Sequence, residues 1–215
     1  MKIINTVGIT YLEKFDTTEE WYFGTDYSCG DLYEAEEVFL MGKRFMPNRL
    51  VFVHYPDGKV YEPIKPKEGQ YFGTPAYIED AIYLLLVDFN RRVIQIYQSK
   101  DLKNELSILV ELPLSEVEDC YNLSLDGAPV MLTRQDGKNR FQIIWPERKE
   151  FLMEEHESFL FREEDKLYFS VWYEEEETDE YFEEISIREY PTGRLLEKVD
   201  GAIMTMPDGQ KWIVR

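Results

Sequence analysis

Four short stretches decide the fold: Leu50-Val51-Phe52-Val53-His54-Tyr55, Val93-Ile94-Gln95-Ile96-Tyr97, Phe141-Gln142-Ile143-Ile144-Trp145 and Ile185-Ser186-Ile187-Arg188-Glu189-Tyr190. Each is rich in β-branched and aromatic residues, ends on an aromatic and runs into a turn, which is the pattern of a strand. The closing aromatics Tyr55, Tyr97, Trp145 and Tyr190 are 42, 48 and 45 residues apart. A repeat of that length is one supersecondary unit, too small to bury its own apolar face, so neighbouring units must stack. Tyr55-Pro56-Asp57-Gly58-Lys59-Val60 also matches Tyr190-Pro191-Thr192-Gly193-Arg194-Leu195 as strand, tight turn and strand.

Working outward, an apolar arm precedes each of these strands, at residues 38–41, 81–88, 129–133 and 167–173. A further run precedes each arm, at 21–25, 71–74, 121–125 and 158–161, and Tyr22-Phe23-Gly24-Thr25 echoes Tyr71-Phe72-Gly73-Thr74. Fourth strands are expected near 60–61, 106–110, 151–152 and 194–198. Asp-Gly pairs at Asp57, Asp126, Asp136, Asp200 and Asp208 punctuate the series as hairpin turns. Four such units fill residues 19–199. A fifth starts at Ala202-Ile203-Met204-Thr205-Met206, turns at Pro207-Asp208-Gly209 and continues through Lys211-Trp212-Ile213-Val214, two strands short. Residues 2–9 and 10–15 supply the missing pair.

This arrangement resembles a small five-bladed β-propeller of a bacterial family. The resemblance is one of architecture over the whole chain, carried by repeat spacing and by the arithmetic of the termini. The Gly-His/Trp-Asp pair of forty-residue repeats and the kelch double glycine are absent. It implies an all-β single domain, 1–215, of four-stranded antiparallel blades at about 19–66, 67–114, 115–155, 156–199, and 200–215 plus 1–15. The N- and C-terminal strands close the last blade, which protects the sheet edges. An irregular β-sandwich or an open barrel is the competing arrangement. Residues 115–119 are expected to form a short helical turn, with Ser115 as cap and Glu118 three residues on.

Composition narrows the partners. Among 215 residues, 43 are Asp or Glu and 24 are Lys or Arg, a net charge of −19. That field repels nucleic acid and anionic membrane surfaces and suits a cation or a basic protein. With 44% hydrophobic residues the chain still has material for a core. Cys29 and Cys120 are too few for a disulfide framework and read as buried free thiols. The longest uncharged apolar run, residues 81–87, has seven residues, too short to span a bilayer. Residues 1–9 read as a strand and not as a signal peptide, so a cytoplasmic protein is expected.

In a propeller the loops between second and third strands surround the mouth of the channel. Three of them are basic here: Lys43, Arg44 and Phe45; Phe89, Asn90, Arg91 and Arg92; Arg134, Asp136, Lys138 and Arg140. The fourth is the run Glu174-Glu175-Glu176-Glu177-Thr178-Asp179-Glu180, followed by Glu183-Glu184 and flanked by Tyr173, Tyr181 and Phe182. Candidate binding residues are therefore Arg44, Phe45, Phe89, Arg91, Arg134, Glu175, Glu176 and Tyr181. They offer a small ligand a channel mouth or a basic protein an acidic hook, unless basic and acidic loops pair internally. Trp21, Phe23, Phe72 and Phe159 are expected to fill the channel. No nucleophile elbow, phosphate loop, dinucleotide fingerprint or zinc-ligand spacing occurs, and His54 and His156 read as structural or surface residues. No catalytic residue, metal or cofactor is assigned. The expected function is a non-enzymatic binding or protein-interaction module. One alternative is a carbohydrate-active propeller, hydrolase or lectin, with Asp26, Glu79 and Asp126 as candidate carboxylates. The other is an acidic inhibitor of a basic protein. An exposed apolar patch beside the acidic loop favours a protein partner.

Overall fold

A computed structural model describes residues 1–102, 106–175, 180–206 and 209–215. The chain divides into two compact units, Met1–Leu125 and Asp126–Arg215. The first holds β1 (Glu13–Lys14), β2 (Trp21–Thr25), α1 (Leu32–Leu40), β3 (Leu50–His54), β4 (Lys59–Tyr61), β5 (Gln70–Phe72), β6 (Ala76–Ile78), β7 (Ala81–Asp88), β8 (Val93–Ser99) and β9 (Ser107–Pro113). The division falls near the end of β10 (Leu123–Asp126). The second unit continues with β11 (Met131–Gln135), β12 (Arg140–Trp145), β13 (Lys149–Leu152), β14 (Glu157–Glu163), β15 (Lys166–Glu175), β16 (Glu180–Glu189), β17 (Leu195–Asp200), β18 (Ala202–Thr205) and β19 (Lys211–Val214).

The fold is all-β, in propeller-like antiparallel sheets. Their orders are β1-β2-β3-β4, β5-β7-β8-β9, β10-β11-β12-β13 and β14-β15-β16-β17. In the second sheet β5 and β6 share one edge of β7, because β8 occupies the other along nearly its whole length. The break between them falls at Gly73-Thr74-Pro75. Gly73 approaches β7 so closely that a Cβ would lie 2.8 Å from Leu85 Cδ2, and Pro75 has no N–H for a ladder.

The blades number four, not five. Residues 202–214 form only the two-stranded hairpin β18–β19. Residues 2–9 hold no strand and do not pair with Lys211–Val214. The reason is local: Val7 (φ 56°) and Gly8 (φ 98°) are both left-handed and turn the chain. The segment is then held to the first unit. The Arg49 guanidinium donates to the Val7 carbonyl at 3.0 Å, and Lys2 donates to the Asp57 carbonyl. Gly24 in β2 lies under it, so close that a Cβ there would sit 2.6 Å from the Tyr11 carbonyl oxygen. β1, expected in the fifth blade, is instead the outer strand of the first sheet.

A second correction is residues 38–41, which form the end of α1 and its C-cap Met41 and not a strand. α1 starts at a reciprocal cap in which Asp31 Oδ1 accepts from the Glu34 N–H and Glu34 Oε2 accepts from the Asp31 N–H, each 2.8 Å. The short turn expected at 115–119 is a 3-10 turn at Leu114–Glu116 without a side-chain cap.

Each unit has its own core. In the first, Phe15, Trp21, Phe23, Leu50 and Phe52 of the first sheet meet Phe72, Ile82, Leu84 and Leu86 of the second. In the second, Met131, Phe141, Ile143 and Met153 meet Leu167, Phe169 and Tyr190, with Phe151 and Phe159 packed against them. Trp21, Phe23, Phe72 and Phe159 thus belong to these sheet-to-sheet cores. One polar bridge supplements the first core. Buried Asn48, just before β3, donates to the Phe72 carbonyl at 2.9 Å and accepts from the Phe72 N–H at 2.7 Å. It satisfies both main-chain groups of a residue in the neighbouring sheet.

Asn48→Ala leaves two buried main-chain groups unpaired. We expect a loss of about 2–4 kcal/mol in urea melts, more than an isolated surface change gives. Gly24→Ala drives a methyl into the Tyr11 carbonyl. We expect faster proteolysis within residues 1–12 and a loss of about 1–3 kcal/mol.

Candidate functional site

Residues singled out by sequence mark two surfaces, one in each unit. In the first unit the end of α1, residues 42–45, the turn before β5 and the β7–β8 turn enclose a half-open cleft of about 260 Å³ lined by Phe39, Lys43, Arg44, Phe45, Glu68 and Asn90. Phe45 stands edge-on to Phe89 (5.9 Å between ring centroids) and to Tyr71 (5.8 Å), and Phe39 stacks on Phe89 at 5.3 Å. Burial pushes the Tyr71 hydroxyl up to about 12, and it donates to the Gly30 carbonyl at 2.7 Å. Gly69 (φ +83°) lets the chain pass under Asn90, whose amide nitrogen donates to the Glu68 carbonyl at 2.8 Å. Arg44, Phe45 and Phe89 are therefore brought together, although Phe89 is buried as a supporting ring. Arg44 pairs with Glu68 at 3.2 Å, and Arg91 with Glu111 at 3.2 Å.

In the second unit Arg134 corrects the expectation of a loop residue. It is only 2% exposed, inside β11, where its guanidinium donates to Gln142 Oε1 at 3.1 Å. Gln142 donates in turn to Glu150 at 2.6 Å, so the charge ends in a polar ladder across β11, β12 and β13. Strand alternation places Arg134 and Gln142, in register opposite each other, on the face away from the core residues Phe141 and Ile143, and there Gln142 supplies the acceptor. The basic turn beside it is likewise engaged: Arg140 Nε donates to Asp136 Oδ2 at 2.6 Å.

The other surface is the outer end of the β15–β16 hairpin, the longest ladder in the chain, paired from Lys166↔Glu189 to Glu175↔Glu180. Of the acidic run, Glu174 is exposed, Glu175 is described by its backbone pairing alone, and Glu176 lies outside the described residues. Beside the run Trp172, Tyr181 and Phe182 are 37%, 60% and 51% exposed. Residues opposite each other in an antiparallel ladder share a face, as do residues two apart. One face thus carries Trp172 opposite Glu183 and Glu174 opposite Tyr181. The other carries Tyr173 opposite Phe182, and Glu184. On the first, Trp172 and Tyr181 lie nearly parallel with centroids 6.5 Å apart, and the His156 ring packs on Trp172 at 4.0 Å. The Tyr181 hydroxyl donates to Glu183 at 2.6 Å, and that bond raises its pKa above the ordinary phenol value. On the second, Tyr173 and Phe182 stack at 4.7 Å beneath Lys198, which donates to Glu154 at 2.7 Å and to the Tyr173 hydroxyl at 2.9 Å. Trp172, His156 and Lys198 were not singled out from the sequence. Extending the period-two pattern through residues 172–183 would have found Trp172. Lys198 is brought in by β17.

The remaining candidates lie away from both surfaces, and Asp26 and Asp126 have local partners. Asp26 Oδ1 accepts from the Arg49 N–H at 2.9 Å, and Asp126 Oδ2 accepts from the Thr133 hydroxyl at 2.6 Å. Glu79 is exposed in the β6–β7 turn with φ 48°. His54 bonds Asp57 at 2.8 Å and packs edge-on against Trp21, and this bond to His54 holds the Asp57 carboxyl well below the usual range. Neither cysteine is in a disulfide; Cys120 is buried and Cys29 half-buried. Among the described residues no group of three His, Cys, Asp or Glu side chains is placed to hold a metal ion, and no helix is long and apolar enough to cross a membrane. No protein-family model matches the chain, and a search of curated proteins finds no match.

Asp136 gives a pH test. Burial opposes its charge, but the backbone N–H groups of Lys138 and Arg140 and the Arg140 guanidinium outweigh this and hold its pKa below the ordinary 3.8. A depressed folded-state pKa stabilises the fold above the unfolded value, and the effect fades as pH falls through the folded one. Asp136→Asn should therefore cost about 1–3 kcal/mol at pH 7. The gap to the parent protein should narrow below about pH 4, as urea melts across pH 2–7 will register.

Proposed function

We propose that this protein is a non-enzymatic binding module that docks a basic protein segment on the outer end of the β15–β16 hairpin. The observation that carries the reading is the exposure, at one hairpin end, of Trp172 and Tyr181 beside Glu174 and Glu183 on one face and of Phe182 beside Glu184 on the other. Large aromatic rings left in water at one place are an uncovered hydrophobic patch, and aromatic anchors dominate the energetics of protein contacts. The surrounding carboxylates, in a chain of net charge −19, favour a positive partner and speed its approach. The carbohydrate-active alternative has less support, because Asp26 and Asp126 are engaged in local hydrogen bonds. The cleft of the first unit supports a second reading, a small ligand resting on Phe45, and Arg44 at its rim favours an anionic group on that ligand.

Nona-arginine and nona-glutamate serve as probes in calorimetric titration. We expect nona-arginine alone to bind. Tyr181→Ser with Phe182→Ser should weaken it at least tenfold, and Arg44→Ser with Phe45→Ser should leave it unchanged. Equal weakening by the cleft pair, or no binding of nona-arginine, overturns the reading.

A further inference from the structure

The two faces of the hairpin end are built from the same parts. On each, two aromatic rings associate and a tyrosine hydroxyl donates to a glutamate: Tyr173 to Glu184 at 2.8 Å, Tyr181 to Glu183 at 2.6 Å. On the Tyr173 face the set is completed by a cation. Lys198 Nζ sits 5.7 Å from the Tyr173 ring centroid, 2.7 Å from Glu154 and 3.6 Å from Glu184. Its pKa is raised well above the ordinary lysine value, first by the bond to Glu154 and then by the bond to Tyr173. The Tyr181 face has the rings of Trp172 and Tyr181 and the carboxylates of Glu174 and Glu183. Among the described residues no Lys, Arg or His nitrogen comes within 4.0 Å of either carboxylate. An aromatic ring flanked by carboxylates in water attracts a cation through its quadrupole and through charge-assisted hydrogen bonds.

We infer that the Trp172–Glu174–Tyr181–Glu183 face receives one arginine side chain of the partner, in the place that Lys198 fills on the opposite face. The inference rests on the binding-module reading and names its recognition chemistry. Arginine fits better than lysine. Its guanidinium is planar, stacks on indole and phenol rings, is more weakly hydrated and reaches carboxylates as a two-pronged donor. His156 against Trp172 and the Tyr181–Glu183 bond hold the rings and one acceptor in place before the cation arrives, which lowers the ordering cost of binding.

The test uses acetyl-Gly-Arg-Gly-amide and its citrulline counterpart, a neutral analogue of nearly the same shape, titrated at millimolar concentration into the ¹⁵N-labelled full chain. The arginine peptide is expected to shift the Trp172 indole N–H saturably and to leave those of Trp21, Trp145 and Trp212 in place. The citrulline peptide is expected to shift none. Tyr181→Ser should weaken the arginine response at least fivefold. Lys198→Gln should open the second face, so that the peptide also shifts the Tyr173 and Phe182 backbone signals. Equal response to citrulline, an unaltered response in Tyr181→Ser, or no new shifts in Lys198→Gln each overturns the inference. A silent arginine peptide beside hairpin-dependent nona-arginine binding overturns the inference and leaves the module reading standing. Loss of both removes both.

Discussion

A meander of four short strands has one face that water rejects and too few hydrogen bonds to stand alone, and everything else in this chain follows from covering that face. In the first unit the cover is the neighbouring sheet: Phe23 and Phe52 lie against Phe72, Leu84 and Leu86. In the second it is again a neighbouring sheet, through Phe141 and Phe169, whose rings meet edge-to-face at 5.2 Å. Each fully buried side chain of this kind is worth about 1.5–3 kcal/mol over leaving it in water. Several polar groups drawn into these contacts are paired tightly. Glu157 and Arg188 form a two-pronged ion pair with both distances 2.7 Å, and Asn48 serves both main-chain groups of Phe72. The sheets are thus matched in register as well as in apolar area.

The strand content of the chain is legible because a strand writes itself in local terms. Alternation, β-branched enrichment and Asp-Gly turns lie within a few residues of one another, so β7, β8, β12, β15 and β16 can be read directly. The fifth blade failed because closure is not local. Whether residues 2–9 meet β19 depends on the left-handed pair Val7 and Gly8, and only the glycine advertises that conformation. α1 was missed for another reason. Val38, Phe39 and Leu40 are as acceptable in a strand as in a helix, and the decisive signal, Asp31 followed by Glu34, lies seven and four residues upstream of Val38.

The candidate surface was legible in part, and for a similar reason. Carboxylate runs and adjoining aromatics are visible in sequence, so Tyr181 was found. Which aromatics share a face is a matter of register, and register is set by the pairing Glu174↔Tyr181 in the folded ladder. Lys198 is 25 residues from Tyr173 and nothing in its neighbours marks it as that residue's cation. Arg134 shows the opposite failure. Its charge suggested exposure, yet Gln142 and Glu150 on the next two strands give it a polar lining that a linear reading does not reveal.

The insertion of α1 between β2 and β3 has a consequence for assembly order. Most hairpins here close over a handful of residues, such as the four between β7 and β8, whereas β2 and β3 must meet across 24. For a flexible chain that sixfold difference raises the entropy of closure by about 1.6 kcal/mol. The first sheet is therefore the one whose pairing is least favoured by chance encounter. In the folded chain α1, capped by Asp31 and Glu34, holds nine of those residues as a stiff spacer, so only 15 of the 24 are left as irregular connection.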